Sequence, residues 1–212
     1  NCNSNQLTSF DLSGATALTA LSCGNNQLTS LDVSANLALT YLNCNSNQLT
    51  SFDLSGATAL NALYCEGNPL TSLDVSQNTA LWRLYCAGNQ LTSLDVSQNT
   101  ALWGLYCGYN QLTSLDVSQN TTLFELSCVY NQLTSLDVRN GNMDNDSIIF
   151  FAVNNPNLTC INVDDALWST SNWTVANGEI DPQHYFSNNC SGGMQQTYVP
   201  DDNFEAYLES NG

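Results

Sequence analysis

The chain has 212 residues, 42% of them hydrophobic, enough to bury a core in one or two domains. Two Lys+Arg stand against 19 Asp+Glu, a formal net charge of -17 that repels phosphate backbones and anionic lipid headgroups, so nucleic-acid and membrane-surface partners are excluded. No run of about 18 apolar residues is present to span a bilayer, and the first residues lack the charged and apolar regions of a signal peptide, so any export signal is expected outside this sequence.

From the first residues the chain repeats itself. Cys2, Cys23, Cys44, Cys65, Cys86, Cys107 and Cys128 recur every 21 residues. Around Cys23 the frame reads Leu18-x-x-Leu21-x-Cys23-x-x-Asn26-x-Leu28, and it returns as Leu39, Leu42, Cys44, Asn47, Leu49 and as Leu102, Leu105, Cys107, Asn110, Leu112. The second half of each unit, as in Leu28-Thr29-Ser30-Leu31-Asp32-Val33-Ser34, adds two apolar positions. One such unit has too little surface to bury five apolar residues and must stack on its neighbours, which turns every position into a column. Leu21, Cys23 and their equivalents are expected to point inward from a short strand, with the residues between them facing out. Asn5, Asn26, Asn47, Asn68, Asn89, Asn110 and Asn131 are expected to form a buried ladder whose amides satisfy backbone groups where the chain leaves the strand. The stretch Ser34-Ala35-Asn36-Leu37-Ala38 is too short for a helix and predicts turns or short 3₁₀ segments.

The frame resembles the leucine-rich-repeat signature, with Cys in the third apolar slot, and by repeat length it is most similar to the internalin-like repeats of bacterial surface proteins. The resemblance covers residues 1–139. It implies a solenoid, a horseshoe or right-handed superhelix with short parallel β-strands on the concave face, turns and 3₁₀ segments elsewhere, and little α-helix. It also implies a secreted or cell-surface module that holds another protein on that concave face.

The seven repeat cysteines read as small buried hydrophobes. Disulfides along their column are conceivable at a strand spacing of ~4.8 Å, and a four-ligand metal site in one straight column is less favoured. Cys160 and Cys190 lie outside the period and are the candidates for a disulfide, which requires an oxidising compartment. They belong to an irregular C-terminal cap over 140–193, entered where the frame breaks at Arg139-Asn140-Gly141-Asn142. Ile148-Ile149-Phe150-Phe151-Ala152-Val153 is expected to supply the last inward apolar run, with Trp168, Trp173 and Phe186 packing in the cap. The motif Asp146-Ser147-Ile148 matches a bacterial O-glycosylation site, a short pattern that chance also produces. Ser191-Gly192-Gly193 reads as a linker. Residues 194–212 then carry a short amphipathic helix with Phe204, Tyr207 and Leu208 on one face, resembling the segment that opens such arrays. The chain is therefore expected to come from a longer protein with tandem arrays. The tail helix either covers the first repeat of another molecule, a head-to-tail contact, or folds back on its own cap.

The outward positions carry the asymmetry of the array. Early repeats show small or polar residues, Thr19, Ala20, Ser22, Gly24 and Asn25, whereas later ones show Tyr64, Trp82, Arg83, Tyr85, Trp103, Tyr106, Tyr109, Phe124, Glu125 and Tyr130. Outward aromatics suit a binding surface, for a protein or as stacking platforms for sugar rings; alternatively they pack on each other as ladders that stiffen the sheet. A further outward column, Asp11, Asp32, Asp53, Asp74, Asp95, Asp116 and Asp137, is compensated either by Ser, Thr and backbone amides in Asx-type turns or by bridging calcium. No other cofactor and no metal ligand set is expected. A single histidine, His184, and no phosphate loop or nucleophile motif argue against an enzyme, and Glu179 with Asp181 is an acid pair lacking a cleft. The functional readings are a protein-binding adhesion module, a polysaccharide-binding accessory module, and a spacer or filament subunit.

Overall fold

A computed structural model describes residues 1–143 and 148–190. Asp146 and Ser147 of the glycosylation motif, the linker from Ser191, and the tail with Phe204, Tyr207 and Leu208 lie outside the described residues.

Each Leu-x-x-Leu-x-Cys frame yields one three-residue strand: β1 (Ala20–Ser22), β2 (Tyr41–Asn43), β3 (Ala62–Tyr64), β4 (Arg83–Tyr85) and β5 (Gly104–Tyr106). β6 (Ser114–Asp116), β7 (Glu125–Ser127), β8 (Ser135–Asp137), β9 (Ile149–Phe151) and β10 (Cys160–Asn162) follow, then α1 (Ala166–Asn172) and β11 (Tyr185–Ser187). The strands form two parallel sheets, a long one in the order β1-β2-β3-β4-β5-β7-β9 and a short one in the order β11-β10-β8-β6. Register in the long sheet is exact to the repeat: Leu21, Leu42, Leu63, Leu84, Leu105, Leu126 and Phe150 pair in one row. That row, the Cys23 to Cys128 column and the columns of Leu39, Leu49 and Val117 equivalents make a single buried core between the sheets. The architecture is a parallel-strand solenoid of about eight turns with very little helix. The linking stretches are turns, as in Asn36 N to Val33 O (3.0 Å) and Leu39 N to Asn36 O (2.9 Å), and no 3₁₀ helix occurs among the described residues. The short second sheet arises because the second halves of the later units are extended enough to pair in turn, a feature the leucine pattern did not suggest.

Strands this short leave carbonyls exposed to the core at every turn, and asparagine closes them. Asn110 Nδ2 donates to Cys86 O (3.0 Å) and Cys107 O (3.1 Å), while its Oδ1 accepts from Leu91 N (3.0 Å). Asn26, Asn47, Asn68, Asn89 and Asn131 repeat this bonding. Asn5 departs from the expected ladder: it is exposed and bonds only within its own turn, to Cys2 O and Asn3 O. A second buried asparagine column, Asn36, Asn78, Asn99 and Asn120, closes the opposite corner. Asn99 Nδ2, for example, donates to Val75 O (3.0 Å) and Asn78 O (2.9 Å). Its periodic signal was present in the linking stretch, but the turn residues there drew no inward assignment.

Repeat bonding also runs past Arg139. β9 pairs with β7, and Asn155, 24 residues after Asn131, donates to Cys128 O (3.1 Å) and Ala152 O (2.8 Å). Ala152 thus takes the place of cysteine in one further, longer turn. Within the run Ile148 packs against the core and Phe150 and Ala152 are buried, whereas Ile149 and Phe151 are exposed, so the apolar run alternates and does not supply a continuous inward segment. The cap closes over Phe150, whose ring stacks on Trp173 at 4.1 Å, and Trp173 in turn meets Trp168 and Phe186, each at 5.6 Å. α1 starts at Asp165, whose carboxylate accepts from Leu167 N and Trp168 N. Cys160 is joined to Cys190 by a disulfide, tying β10 to the chain beyond β11.

The repeat cysteines are free thiols, Cys2 half-buried and the other six buried. Burial pushes Cys23 and Cys86 up to about 12 and Cys44, Cys65, Cys107 and Cys128 well above the usual thiol range. The same desolvation raises Glu66, a half-buried carboxyl beside this column whose Oε2 is buried without a hydrogen-bond partner. On the other side of the molecule each aspartate of the Asp11 to Asp116 row accepts from the backbone N–H of the serine two residues on, at 2.8 to 2.9 Å, and Asp137 accepts likewise from Arg139 N. These Asx turns hold Asp11, Asp53, Asp74 and Asp95 below the usual carboxylate range, and at Asp32 the Ser34 hydroxyl contributes most.

Three outcomes are expected. Asn110→Ala strands two carbonyls and an amide in the core and should cost roughly 2–4 kcal/mol by denaturant unfolding, whereas Asn5→Ala stays within about 0.5 kcal/mol. Alkylation without reductant should label Cys2 alone in the folded protein and seven thiols once unfolded, with the Cys160–Cys190 bridge intact. Because the folded-state pKa of Asp11, Asp32, Asp53, Asp74 and Asp95 is lowered, their contribution is present above about pH 3.8 and lost as pH falls through their folded values. Glu66 is raised, so its contribution runs the other way, present below about pH 4.5 and lost as pH rises through its folded value. Thermal melts from pH 3 to 7 should therefore show Glu66→Gln more stable than the parent at neutral pH with the acid limb unchanged.

Candidate functional site

The outward positions of the long sheet form three adjoining columns. On the strands themselves run Ala20, Tyr41, Ala62, Arg83, Gly104, Glu125, Ile149 and, two residues on, Ser22, Asn43, Tyr64, Tyr85, Tyr106, Ser127, Phe151. Just before the strands, Asn61, Trp82, Trp103 and Phe124 follow one another, each amide donating to the preceding turn's carbonyl at 2.8 to 2.9 Å from Trp82 onward. In-register stacking brings like residues together across turns, and so the aromatics become two ladders. Tyr64 meets Tyr85 at 5.0 Å and Tyr85 meets Tyr106 at 4.4 Å; Trp82 meets Trp103 at 6.3 Å and Trp103 stacks on Phe124 at 5.3 Å. Tyr41, which the residue pattern did not single out, extends the first ladder by tilting against Tyr64 at 5.5 Å. Its outward slot was legible, but it stands alone in a polar repeat. Ile149 and Phe151 continue the apolar surface toward the cap.

Between the ladders lie two charges. The Arg83 guanidinium sits 4.3 Å from the Trp82 ring and 5.3 Å from that of Trp103, a geometry in which the ring quadrupoles hold the cation. Hydrogen bonding to Tyr64 raises Arg83 further. Two strands away, past Gly104, Glu125 Oε2 accepts from the Tyr85 hydroxyl at 3.3 Å. Burial, then the Glu125 charge, pushes Tyr85 up to about 12 and raises Tyr106 as well, so both remain phenols and donors. Tyr64, Tyr85 and Tyr106 are half-buried in this network, whereas Trp82 stays exposed. The outward aromatics therefore do both things the sequence allowed: they brace one another and leave ring surface to solvent.

A further column marks where the chain leaves each strand. Ser4, Asn25, Ser46, Gly67, Gly88, Tyr109, Tyr130 and Asn154 all adopt left-handed φ, between 51° and 66°. Glycine takes this conformation freely and Ser or Asn with local help, but a bulky aromatic pays about 1–2 kcal/mol for it. Tyr109 and Tyr130 nevertheless occupy two successive turns, with rings stacked at 4.4 Å and 13°, and are 57% and 48% exposed.

The remaining candidates are elsewhere. The aspartate row runs along the other side of the molecule, with Asp116 and Asp137 on strands of the short sheet, and among the described residues no group of three or more His, Cys, Asp or Glu is placed to hold a metal ion. His184 is buried in the cap, its Nδ1 accepting from Asp181 N (3.2 Å) and its pKa lowered by burial. Glu179 and Asp181 accept from Thr174 N and Asn155 N, so both acids fasten the cap. Arg139, the other cationic side chain, is spent on Asp137 at 2.5 Å and Asn188 O at 3.0 Å. Arg83 is left as the cation displayed on the aromatic face.

No protein-family model and no curated protein sequence matches the chain. Among solved structures it is similar to a leucine-rich-repeat protein of Leptospira interrogans, at 21% identity and TM-score 0.61 over 87% of this chain and 53% of that one. An internalin from Listeria monocytogenes matches at 22% identity and TM-score 0.58 over 84% and 49%. The functional domain of InlJ from Listeria monocytogenes, described as including a cysteine ladder, matches at 28% identity and TM-score 0.44 over 76% and 52%. The chain thus spans about half the length of the structures it matches. No helix among the described residues is long and apolar enough to cross a membrane. With a period of about 21 residues, inward leucine and cysteine columns and these neighbours, the chain has the fold of the leucine-rich-repeat proteins, in a form consistent with internalin-like repeats.

Proposed function

We propose that the chain is an extracellular binding module that holds a protein partner against the aromatic face of its long sheet. The observation that carries this is the concentration of Trp82, Trp103, Phe124, Tyr64, Tyr85 and Tyr106 on one outward surface, pre-braced by ring contacts and by Arg83 and Glu125. Rings already held in place lose little freedom on binding, and Trp, Tyr and Arg dominate interface energetics. The chain's acidic excess supports the same face: the seven carboxylates of the aspartate row stand off the long sheet, Asp116 and Asp137 on strands of the short one, leaving this face nearly free of charge. A binding role over catalysis is supported by the enclosure of the single histidine in the cap and by the structural use of Glu179 and Asp181. An extracellular setting is supported by the Cys160–Cys190 bridge, which persists under oxidising conditions.

Surface-binding measurements against a panel of extracellular proteins test the proposal. A partner is expected whose affinity falls by roughly thirtyfold or more for Trp82→Ala and further for the Trp82→Ala, Trp103→Ala, Tyr106→Ala triple variant, with far-UV spectrum and melting point retained. A partner that binds the folded triple variant as tightly as the parent moves the function off this face.

A further inference from the structure

We propose that the Tyr109–Tyr130 pair is a saccharide subsite, taking the apolar face of a pyranose ring from a neutral oligosaccharide. The inference rests on the reading of this sheet face as the binding surface and assigns a ligand class to one margin of it. Three observations carry it.

The first is the internal comparison that the repeats provide. At the same backbone position, and with the same left-handed φ, neighbouring turns use Gly67 and Gly88, which meet the conformation without strain. The chain accepts that strain twice, in adjacent turns, and what it obtains is two phenol rings that add nothing to the core. They are the two most exposed aromatic rings among the described residues. Strain retained where an unstrained residue serves next door points to a use for the side chain.

The second is shape. The rings lie 4.4 Å apart and within 13° of parallel, so each covers one face of the other and leaves its remaining face bare. Tyr130 covers Tyr109 from the following turn, and in the two preceding turns the same corner holds Gly88 and Gly67, both exposed and without side chains. A Cβ built on Gly88 would come no closer to other groups than 3.5 Å, at Gly67 N. A flat aromatic wall thus stands above a two-glycine floor, a slot open to a ring and unobstructed along the array. A sugar presents the matching surface, a disc of C–H bonds on one face with hydroxyls around its rim.

The third is the polar surround. Gln90, Gln111 and Gln132, all exposed, stand two residues after Gly88, Tyr109 and Tyr130. Their amides offer donors and acceptors together, as hydroxyl rims require. The left-handed column contains no charged residue, and the net charge of -17 disfavours sialylated or uronate-bearing chains, so the ligand is neutral.

The probe is a panel of neutral hexose and N-acetylhexosamine oligosaccharides titrated calorimetrically against the full chain. At least one is expected to bind. Tyr109→Gly with Tyr130→Gly restores the residue of Gly67 and Gly88, and should leave the melting point equal or higher while lowering that affinity at least roughly tenfold. Tyr109→Ser with Tyr130→Ser, copying Ser46, gives the same readout should the glycine pair perturb folding. Tyr109→Phe with Tyr130→Phe keeps the platform and retains binding. Trp82→Ala removes a protein partner but leaves the saccharide affinity unchanged, which separates failure of this inference from failure of the protein-binding reading. Absence of binding to every member of the panel overturns the subsite, as does undiminished binding by the glycine pair or loss caused by Trp82→Ala alone.

Discussion

The fold depends on how a solenoid of three-residue strands disposes of its backbone polar groups. A strand that short pairs only a few amides before the chain must turn, and the turn faces a core of leucine and cysteine that offers no hydrogen bonds. One asparagine per turn answers this, donating to carbonyls of its own and the preceding turn and accepting an amide from the preceding one. A second asparagine column closes the other corner with donors alone, for the Oδ1 atoms of Asn36, Asn78, Asn99 and Asn120 are buried without a partner. Everything else follows from the regularity so enforced: the leucine row in register, the thiol column filling the space left at the strand end, and the outward residues arriving in straight lines.

That regularity also sorts charge and ring surface. A residue type placed at one slot is multiplied along the array, so aspartate at the start of the linking turn becomes a row on one side of the molecule, and tyrosine or tryptophan at the strand becomes a ladder on the other. The row is tolerable because each carboxylate from Asp11 to Asp116 is held by its own serine, and Asp137 by Arg139, before its neighbours matter. The ladder is tolerable because each ring covers part of the next. Apart from Asp137, which pairs with Arg139, neither arrangement relies on ion pairing, for which the chain has almost no cations.

Much of this was legible in the sequence. The 21-residue spacing of cysteine, with leucine three slots from leucine, dictates stacked turns and inward columns whatever the partner. The outward aromatics were equally plain, since they break an otherwise polar slot. What escaped was information that spacing does not carry. Asn36, Asn78, Asn99 and Asn120 sit among turn residues where asparagine is ordinary, so their burial is visible only once the turns are stacked. The eighth turn was hidden because its spacing lengthens to 24 residues and Ala152 replaces cysteine. Ile149 and Phe151 read as core because their neighbours are apolar too, and alternation within a continuous apolar run has no signature of its own. Left-handed backbone at Tyr109 and Tyr130 runs against residue preference, and only the geometry of the shared corner imposes it.

In-register parallel pairing gives the array the character of a ruler. Every turn presents the same inward contacts to the turn before and after it, so the core does not distinguish one position along the stack from another. Gaining or losing a whole 21-residue unit between β2 and β3 would leave the leucine row and asparagine ladder continuous, yet shift the aromatic face relative to everything on the N-terminal side by one strand spacing, ~4.8 Å. Reach thus varies in discrete steps, independently of the aromatic face.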